Sequence, residues 1–261
     1  MVRLLLVRGM LAGLVAGLLV FGFAKVFGEP QVDRAISFES AMDEAKAKEQ
    51  AARGKPMEDE PELVSRPVQA GLGLFTGVTV YSMAFGGLFA LVFAVANGRA
   101  AQLGPRGVSA LLAIAGFVCV YLVPNLKYPA NPPSVGAPET IGYRTALYFS
   151  MLAISVAAMV IALVLRSRLA RRGGAWNAAL TSAAFYLAVV IAASVILPGI
   201  NEVPEGFPAT VLWRFRVASY GMQAVMWTTL GLLFGLLAER ALSVGMPQSP
   251  ALPRGNMRSR A

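Results

Sequence analysis

Six long apolar segments constrain the fold of this chain more than any other feature of its sequence. The first contains a single charged residue, Lys25, and the other five contain no Asp, Glu, Lys or Arg. A run of about 20 apolar residues can cross the hydrocarbon core as a helix, because its backbone polar groups bond to one another and need no water. The sequence therefore predicts an all-α polytopic membrane protein with six transmembrane helices, over about residues 9–27, 70–96, 107–126, 145–165, 173–197 and 217–238.

The composition agrees with a membrane domain that occupies residues 1–245. Of the 261 residues, 56% are hydrophobic and only 14% are charged, whereas a soluble domain carries about 25% charged residues. The net charge of +9 would suit nucleic acid. However, the Arg residues cluster at the ends of the apolar segments, where orientation signals and anionic lipid headgroups account for them. We therefore expect contacts with membrane lipids and none with nucleic acid.

Charge alternates along the connections between the segments. The N-terminus, the second and fourth connections and the C-terminal region hold twelve basic residues and one acid, Glu239. Ten of the fourteen acids lie in the first connection, between Glu29 and Glu62. Because Lys and Arg accumulate on the cytoplasmic side, we expect both termini in the cytoplasm, an extracytoplasmic loop at 28–69 and three helical hairpins that open outward. Residues 246–261 are rich in Pro, Ser, Gly and Arg, which predicts a disordered cytoplasmic tail.

The first apolar segment could instead be a cleaved signal peptide. Its apolar stretch covers about 19 residues, which exceeds the roughly 7–15 residues of a signal-peptide core, and no Ala-x-Ala site follows it. Gly9, Gly13 and Gly17 form a stripe of small residues that suits close packing against another helix. We therefore expect a retained transmembrane helix.

Proline and charge predict the structure of the connections. Residues 31–53 lack Gly and Pro and favour a helix, whereas the acidic, proline-bearing residues 56–67 favour an extended linker. Four prolines between Pro124 and Pro133 exclude a continuous helix there. The segments that return from the second and third outer loops begin alike, at Arg144 and Arg216. Internal repeats explain this similarity, and chance or shared loop mechanics explains it equally well.

The residue types present exclude several classes of function. The chain has no His, and its one cysteine, Cys119, lies in the middle of the third segment. Haem ligation by His, a Ser-His-Asp triad and a His-based zinc site are therefore ruled out within this chain. The sequence also lacks the G-x-x-x-x-G-K-[ST] phosphate loop of many ATPases. We expect neither enzyme activity nor a firmly bound cofactor.

Polar residues collect at the outer ends of the predicted segments. Carboxylates and amide carbonyls are hard oxygen donors that suit divalent ions, which makes the following residues candidate metal ligands: Glu29, Asp33, Asn125, Glu139, Asn201 and Glu202. Glu29 and Asp33 share a helix face only if the helix continues through Pro30. The same acids could instead form interfacial ion pairs with nearby basic residues, such as Lys25, Arg144 and Arg216. The sequence leaves both interpretations open.

Several motifs resemble the CbtA family of predicted cobalt transporter subunits. The resemblance covers nearly the whole chain and includes a Gly-Leu-Val-Ala-Gly-Leu-Leu run at the start of the first segment. The other matching motifs are Phe27-Gly-Glu-Pro-Gln-Val-Asp-Arg-Ala-Ile-Ser-Phe-Glu39, Tyr121-Leu-Val-Pro-Asn-Leu-Lys-Tyr-Pro-Ala-Asn-Pro-Pro133, Glu139-Thr-Ile-Gly-Tyr-Arg-Thr-Ala-Leu-Tyr148 and Asn201-Glu-Val-Pro-Glu-Gly-Phe-Pro208.

The resemblance implies a function and a partner. It implies uptake of Co²⁺, as the substrate, across a bacterial inner membrane in support of cobalamin synthesis. It also implies a small, single-span, His-rich CbtB-like subunit, which fits a chain that has no His of its own. A homo-oligomer is equally compatible with the sequence. The alternative from another class is a non-transporting membrane scaffold that anchors or stabilises a partner subunit.

Overall fold

A computed structural model describes residues 1–53, 64–99 and 103–244. Within these ranges the chain is helical and contains no strand, and six of its helices are long and apolar enough to cross a membrane. This confirms the predicted all-α class and the number of segments. The helices are α1 (Val2–Ala52), α2 (Arg66–Ala96), α3 (Pro105–Lys127), α4 (Pro138–Gly173), α5 (Ala175–Ile196) and α6 (Ala209–Ser243).

Helix α1 extends well beyond the first apolar segment. It continues through Pro30 and ends at Ala52, which confirms the helix predicted over residues 31–53. A five-residue π-helical turn, Ala24–Gly28, lies just before Pro30. Because proline has no backbone N–H, it cannot make the regular helical bond, and a π turn is one way in which a helix absorbs such an interruption. Helix α3 has the same arrangement, with the π turn Phe117–Leu122 before Pro124.

The predicted glycine stripe of α1 packs directly on α2. A Cβ atom placed on Gly9 would lie 2.3 Å from the carbonyl oxygen of Gly86, and one placed on Gly13 would lie 2.3 Å from that of Ser82. Contacts this close require glycine, and they bring the two backbones into van der Waals contact. The pairing of α1 with α2 is therefore encoded in the small residues of both helices.

The bundle contains two apolar cores that share α3. Helices α1, α2, α3 and α6 surround an aromatic cluster with Phe89, Phe93, Trp227 and Phe234 at its centre. Helices α3, α4 and α5 form the second core, around the fully buried Met151. Helix α5 packs mainly on α4. In the part of the chain that the structure describes, α5 and α6 do not form a closely packed pair. The arrangement as three hairpins that open outward stays a prediction.

Alternate connections meet at one end of the bundle, which we call the loop end. There the extension of α1 contacts the α3–α4 connection (residues 128–137) and the α5–α6 connection (residues 197–208). Ala35, Val135, Phe207 and Val211 are buried together, and the rings of Phe38 and Phe207 pack edge to face at 5.1 Å. The opposite end carries the ion pair between Arg106 and Glu239.

Two predictions concern residues whose structure is only partly described or not described. Most of the predicted extended linker at 56–67 lies outside the described residues, as does the whole predicted tail at 246–261. The tail and the undescribed part of the linker stay predictions. The extended structure predicted for the end of the linker is wrong, because Arg66 and Pro67 already belong to α2. The exclusion of a continuous helix over the proline-rich connection is confirmed, because α3 ends at Lys127 and the chain is irregular from Tyr128 to Ala137.

Candidate functional site

Glu29 and Asp33 share one face of α1 and converge on Arg66 at the start of α2. The Nη2 atom of Arg66 lies 2.5 Å from a carboxylate oxygen of Glu29 and 2.8 Å from one of Asp33. The Nε atom of Arg66 also donates to Asp33, at 3.0 Å. The side chain of Glu29 is only 12% exposed and that of Arg66 is 27% exposed. A carboxylate that is withdrawn from water in this way requires such a partner.

Lys25 is not the partner of Glu29 in this arrangement. Its ammonium group donates to the carbonyl oxygen of Ala70, at 3.0 Å, within the π turn Gln69–Gly73 at the start of α2. A π turn interrupts the regular hydrogen bonding of a helix, so this side chain supplies a donor to a carbonyl of the interrupted segment. Lys25 and Arg66 together join α1 to the beginning of α2.

Asn125 and Arg216 organise the α3–α4 connection. Asn125 is buried, and its Oδ1 atom accepts a hydrogen bond from the backbone N–H of Ala130, at 3.1 Å. From α6, the Arg216 guanidinium donates to the carbonyl oxygen of Ala130 at 3.3 Å and to Oδ1 of Asn131 at 3.0 Å. The proline-rich connection is therefore fixed from both sides by polar side chains.

Glu202 links the α5–α6 connection to the beginning of α4. Its Oε2 atom accepts hydrogen bonds from the N–H of Ala137 and the hydroxyl of Thr140, both at 2.8 Å, and lies 3.4 Å from Nε of Arg144. These interactions favour the charged carboxylate. They lower the pKa of Glu202 below its ordinary value. The hydrogen bond from Ala137 has the largest effect, followed by the hydrogen bond from Thr140 and then by the charge of Arg144.

The two remaining candidate ligands lie on the surface of the loop end. Glu139 is exposed in the 3₁₀ turn Pro138–Thr140. Asn201 is also exposed, one residue before Glu202. The structure thus places the six candidates in different settings. Glu29 and Asp33 meet at Arg66, Asn125 and Glu202 hold connections in place, and Glu139 and Asn201 are exposed.

A cavity of about 490 Å³ opens at the loop end, between the first turns of α4, the first turns of α6 and the two connections. We call it the loop-end cavity. Two guanidinium groups, Arg144 and Arg216, and one carboxylate, Glu202, supply its charges. The amides of Asn131 and Asn201 line it, as do the rings of Tyr128, Tyr148 and Phe149. The arginines that the sequence places at matching positions near the starts of α4 and α6 therefore face one space.

A preformed cluster of protein metal ligands is not part of this arrangement. Among the described residues, no group of three or more His, Cys, Asp or Glu side chains is placed to hold a metal ion. The structure places Glu29, Asp33, Glu139 and Glu202 at the loop end, together with Arg66 and Thr140, which the sequence did not single out. Arg66 stands directly before Pro67 and the second apolar segment, and that position at a segment end was the signal that could have identified it.

These observations define the class of protein. Six apolar helices joined in one bundle, with a polar cavity at one end, make this a multi-pass α-helical membrane protein. Residues 2–239 match the CbtA family, whose description is probable cobalt transporter subunit, and the chain belongs to that family. The match covers all six helices almost completely. No curated protein and no solved structure gave a significant match to this chain.

Proposed function

We propose that this chain is the membrane subunit of a cobalt uptake system and carries Co²⁺ inward across a bacterial inner membrane, in support of cobalamin synthesis. The single observation that carries the proposal is the family match over residues 2–239. The six helices supply a membrane-spanning body for transport, and the loop-end cavity supplies an entry region of suitable polarity. Ligand sites of transporters lie between helices and at interruptions of helices.

The proposed orientation places the loop end outside the cytoplasm and both termini inside. Arg8, Arg99 and Arg106 lie at the end opposite to the loop end, where Arg8 donates to the carbonyl oxygen of Leu237. Glu29 and Glu202 belong to the loop end. This separation of basic and acidic residues agrees with the enrichment of Lys and Arg on the cytoplasmic side.

Reporter fusions test the orientation. Fusions after Gly54, which lies outside the described residues, and after Glu202 are expected to be extracytoplasmic. Fusions after Gly104 and Gly173 are expected to be cytoplasmic. A cytoplasmic reporter at Gly54 would contradict both the orientation and the six-span arrangement.

The proposed contacts of the metal are the oxygen atoms at the loop end. Glu29, Asp33, Asn125, Glu139, Asn201 and Glu202 remain the candidates, and the geometry favours those at the cavity. Asn201 and Glu202 line it, whereas the Glu29 and Asp33 carboxylates are engaged by Arg66. We expect the passing ion to make transient contacts with these oxygens rather than to occupy a resident site.

The proposed partner is a small, single-span subunit with a His-rich motif. Imidazole is a common ligand for cobalt and its neighbours in the periodic table, and this chain contains no His. Its one cysteine, Cys119, is buried in the second core. A subunit that contributes imidazole would supply the selectivity that this chain lacks. Further copies of this chain are also compatible with the lipid-exposed apolar faces of the helices.

A second candidate function is a non-transporting scaffold that anchors or stabilises a partner. The observation that favours it is the structural use of the acids, because Glu29, Asp33 and Glu202 each bond to basic or backbone groups of the same chain. The two candidates differ in what happens to metal when the partner is present. A scaffold with no path of its own leaves cobalt uptake dependent on the partner alone.

Growth under cobalt limitation separates these functions. A strain that lacks this chain but retains the partner is expected to require added cobalt, and the wild-type chain is expected to restore growth. Growth that is unaffected by loss of the chain, with the partner still inserted in the membrane, would contradict both functions. Loss of growth together with loss of the partner from the membrane would support the scaffold. Immunoblotting of the partner in the membrane fraction provides the control.

A further inference from the structure

We infer that the loop-end cavity binds the carboxylate groups of a small anionic metal chelate, so that the metal reaches the protein as a complex and not as the hydrated ion. The inference deepens the proposed function and rests on it, since the chelated metal is taken to be the transported cobalt. It concerns the form of the substrate, which the family description leaves open.

The size of the cavity is the first argument. Its volume of about 490 Å³ falls within the range of roughly 300–1,000 Å³ that is typical of small-molecule sites. A metal ion held directly by protein needs oxygen or nitrogen atoms at about 2.0–2.6 Å on several sides. Tyr128, Tyr148 and Phe149 form much of the wall. A space of this size with these walls suits an organic molecule.

The charge of the cavity is the second argument. Arg144 and Arg216 face it with two positive charges, and Glu202 is the one carboxylate in its wall. The Oε2 atom of Glu202 already accepts two hydrogen bonds, from Ala137 and Thr140. Among the described residues the wall therefore carries a net positive charge, which favours an anionic ligand over a bare divalent cation. Planar guanidinium groups match carboxylates in geometry as well as in charge.

Both guanidinium groups are held in place before any ligand arrives. The Nε and Nη2 atoms of Arg216 donate to the α3–α4 connection, and Nη2 of Arg144 donates to the carbonyl oxygen of Ala137, at 3.2 Å. A guanidinium carries five N–H donors, and among the described residues no hydrogen bond uses the Nη1 group of Arg216. Arg216 therefore keeps donors for a ligand, whereas the Arg144 guanidinium packs against Gly136 and Glu202 and contributes its charge. A site with its charges already positioned loses less entropy on binding.

Gly136 makes room for one of these groups. A Cβ atom at this position would lie 2.0 Å from Nη1 of Arg144, and the backbone φ of +117° is one that other residues rarely adopt. The connection is therefore shaped around the arginine. This arrangement explains why a long cationic side chain stays at the cavity instead of extending into the surrounding water.

Calorimetric titration of the purified full-length chain tests the inference. The chain is placed in phosphatidylcholine nanodiscs and titrated with cobalt(II) citrate, with citrate alone and with cobalt(II) chloride. We expect binding of the citrate complex and of citrate, and no comparable binding of cobalt(II) chloride. Saturable binding of cobalt(II) chloride with no binding of either citrate species would overturn the inference.

Matched variants locate the binding. Arg216→Gln is expected to weaken citrate binding by roughly 10- to 100-fold, the effect of losing hydrogen bonds to a charged group. Arg214→Gln removes the same charge from an exposed position of the same helix and is expected to leave the affinity unchanged. Equal affinities for the two variants would contradict the assignment to the cavity. Asn201→Trp obstructs an exposed position of the lining and provides the same test if Arg216→Gln does not fold.

A further arm separates a soluble chelate from a lipid headgroup, which also presents an anion. Titrations are repeated in nanodiscs that contain phosphatidylglycerol. We expect citrate binding to persist and to retain its dependence on Arg216. Loss of citrate binding in phosphatidylglycerol, together with lipid retention by wild type but not by Arg216→Gln, would assign the cavity to a headgroup and overturn the inference. The two failures are distinguishable. If only the inference is wrong, the chain does not bind citrate, but cobalt uptake still depends on the chain. If the proposed function is wrong, cobalt uptake is unchanged in a strain that lacks the chain.

Discussion

Arg66 and Glu29 form an ion pair between the start of α2 and the middle of α1, across 37 residues of sequence. The same guanidinium also bonds to Asp33, one turn further along α1. Two acids that could serve as metal ligands thus neutralise a basic residue of their own chain. These bonds join the extension of α1 to the start of α2.

The ion pair predicts coupled effects on stability. Glu29→Gln and Arg66→Gln are each expected to lower the free energy of unfolding, since either change leaves a partly buried charge without its partner. The double variant is expected to lose less than the sum, with a coupling of about 0.5–3 kcal/mol. Thermal unfolding in detergent gives these values, and cobalt uptake is measured on the same variants.

Uptake decides between the two roles of Glu29. If Glu29→Gln folds and inserts but carries no cobalt, and Arg66→Gln retains uptake, then Glu29 is a ligand as well as an ion-pair partner. If uptake follows stability in all three variants, the role of Glu29 is structural. Normal uptake by Glu29→Gln would remove it from the set of transport residues.

The close contact of α1 with α2 predicts a strong effect at one glycine and none at another. Gly13→Ala places a methyl group 2.3 Å from a backbone oxygen of α2 and is expected to destabilise the protein by about 1–3 kcal/mol, because the helices must separate. Gly22→Ala is the matched control, since nothing lies within 4 Å of a Cβ atom there. Unfolding midpoints of equal value for both variants would contradict the packing of these helices.

The hydrogen bonds of Glu202 predict a dependence of stability on pH. Because the pKa of this carboxyl is lowered in the folded protein, its contribution is complete above its ordinary value of 4.5 and is lost as pH falls through the lowered value. Glu202→Gln keeps an acceptor oxygen but cannot titrate. The unfolding midpoint of wild type should therefore fall more steeply below pH 4.5 than that of Glu202→Gln. Parallel curves would show that Glu202 does not contribute.

The absence of His predicts weak metal binding by the isolated chain. Titration of purified protein with cobalt(II) chloride is expected to give weak binding alone and tighter binding after addition of the His-bearing subunit. Tight, stoichiometric binding by this chain without a partner would contradict the proposal that the partner subunit supplies the metal selectivity. Magnesium chloride, which prefers oxygen ligands and retains its water, is the control ion.

The sequence predicted the helices well and the partners of the polar residues poorly. Apolar length and charge placement determine where a helix can cross a membrane, so six segments could be counted and Gly9, Gly13 and Gly17 assigned to a helix interface. The ion-pair partner of Glu29 depends on how the start of α2 is positioned against α1 after the connection between the two helices. Arg66 could not be chosen over Lys25 without that geometry. The loop-end cavity depends likewise on the joint placement of Arg144 and Arg216.

The initial rate of radiolabelled cobalt uptake tests the central claim most directly. It is measured at limiting cobalt in cells that carry the partner subunit, with and without this chain, and with the chain restored. The account predicts that uptake is lost without the chain and returns with the wild-type chain. An uptake rate that is the same in the presence and absence of the chain, in cells whose partner is correctly inserted, would contradict it.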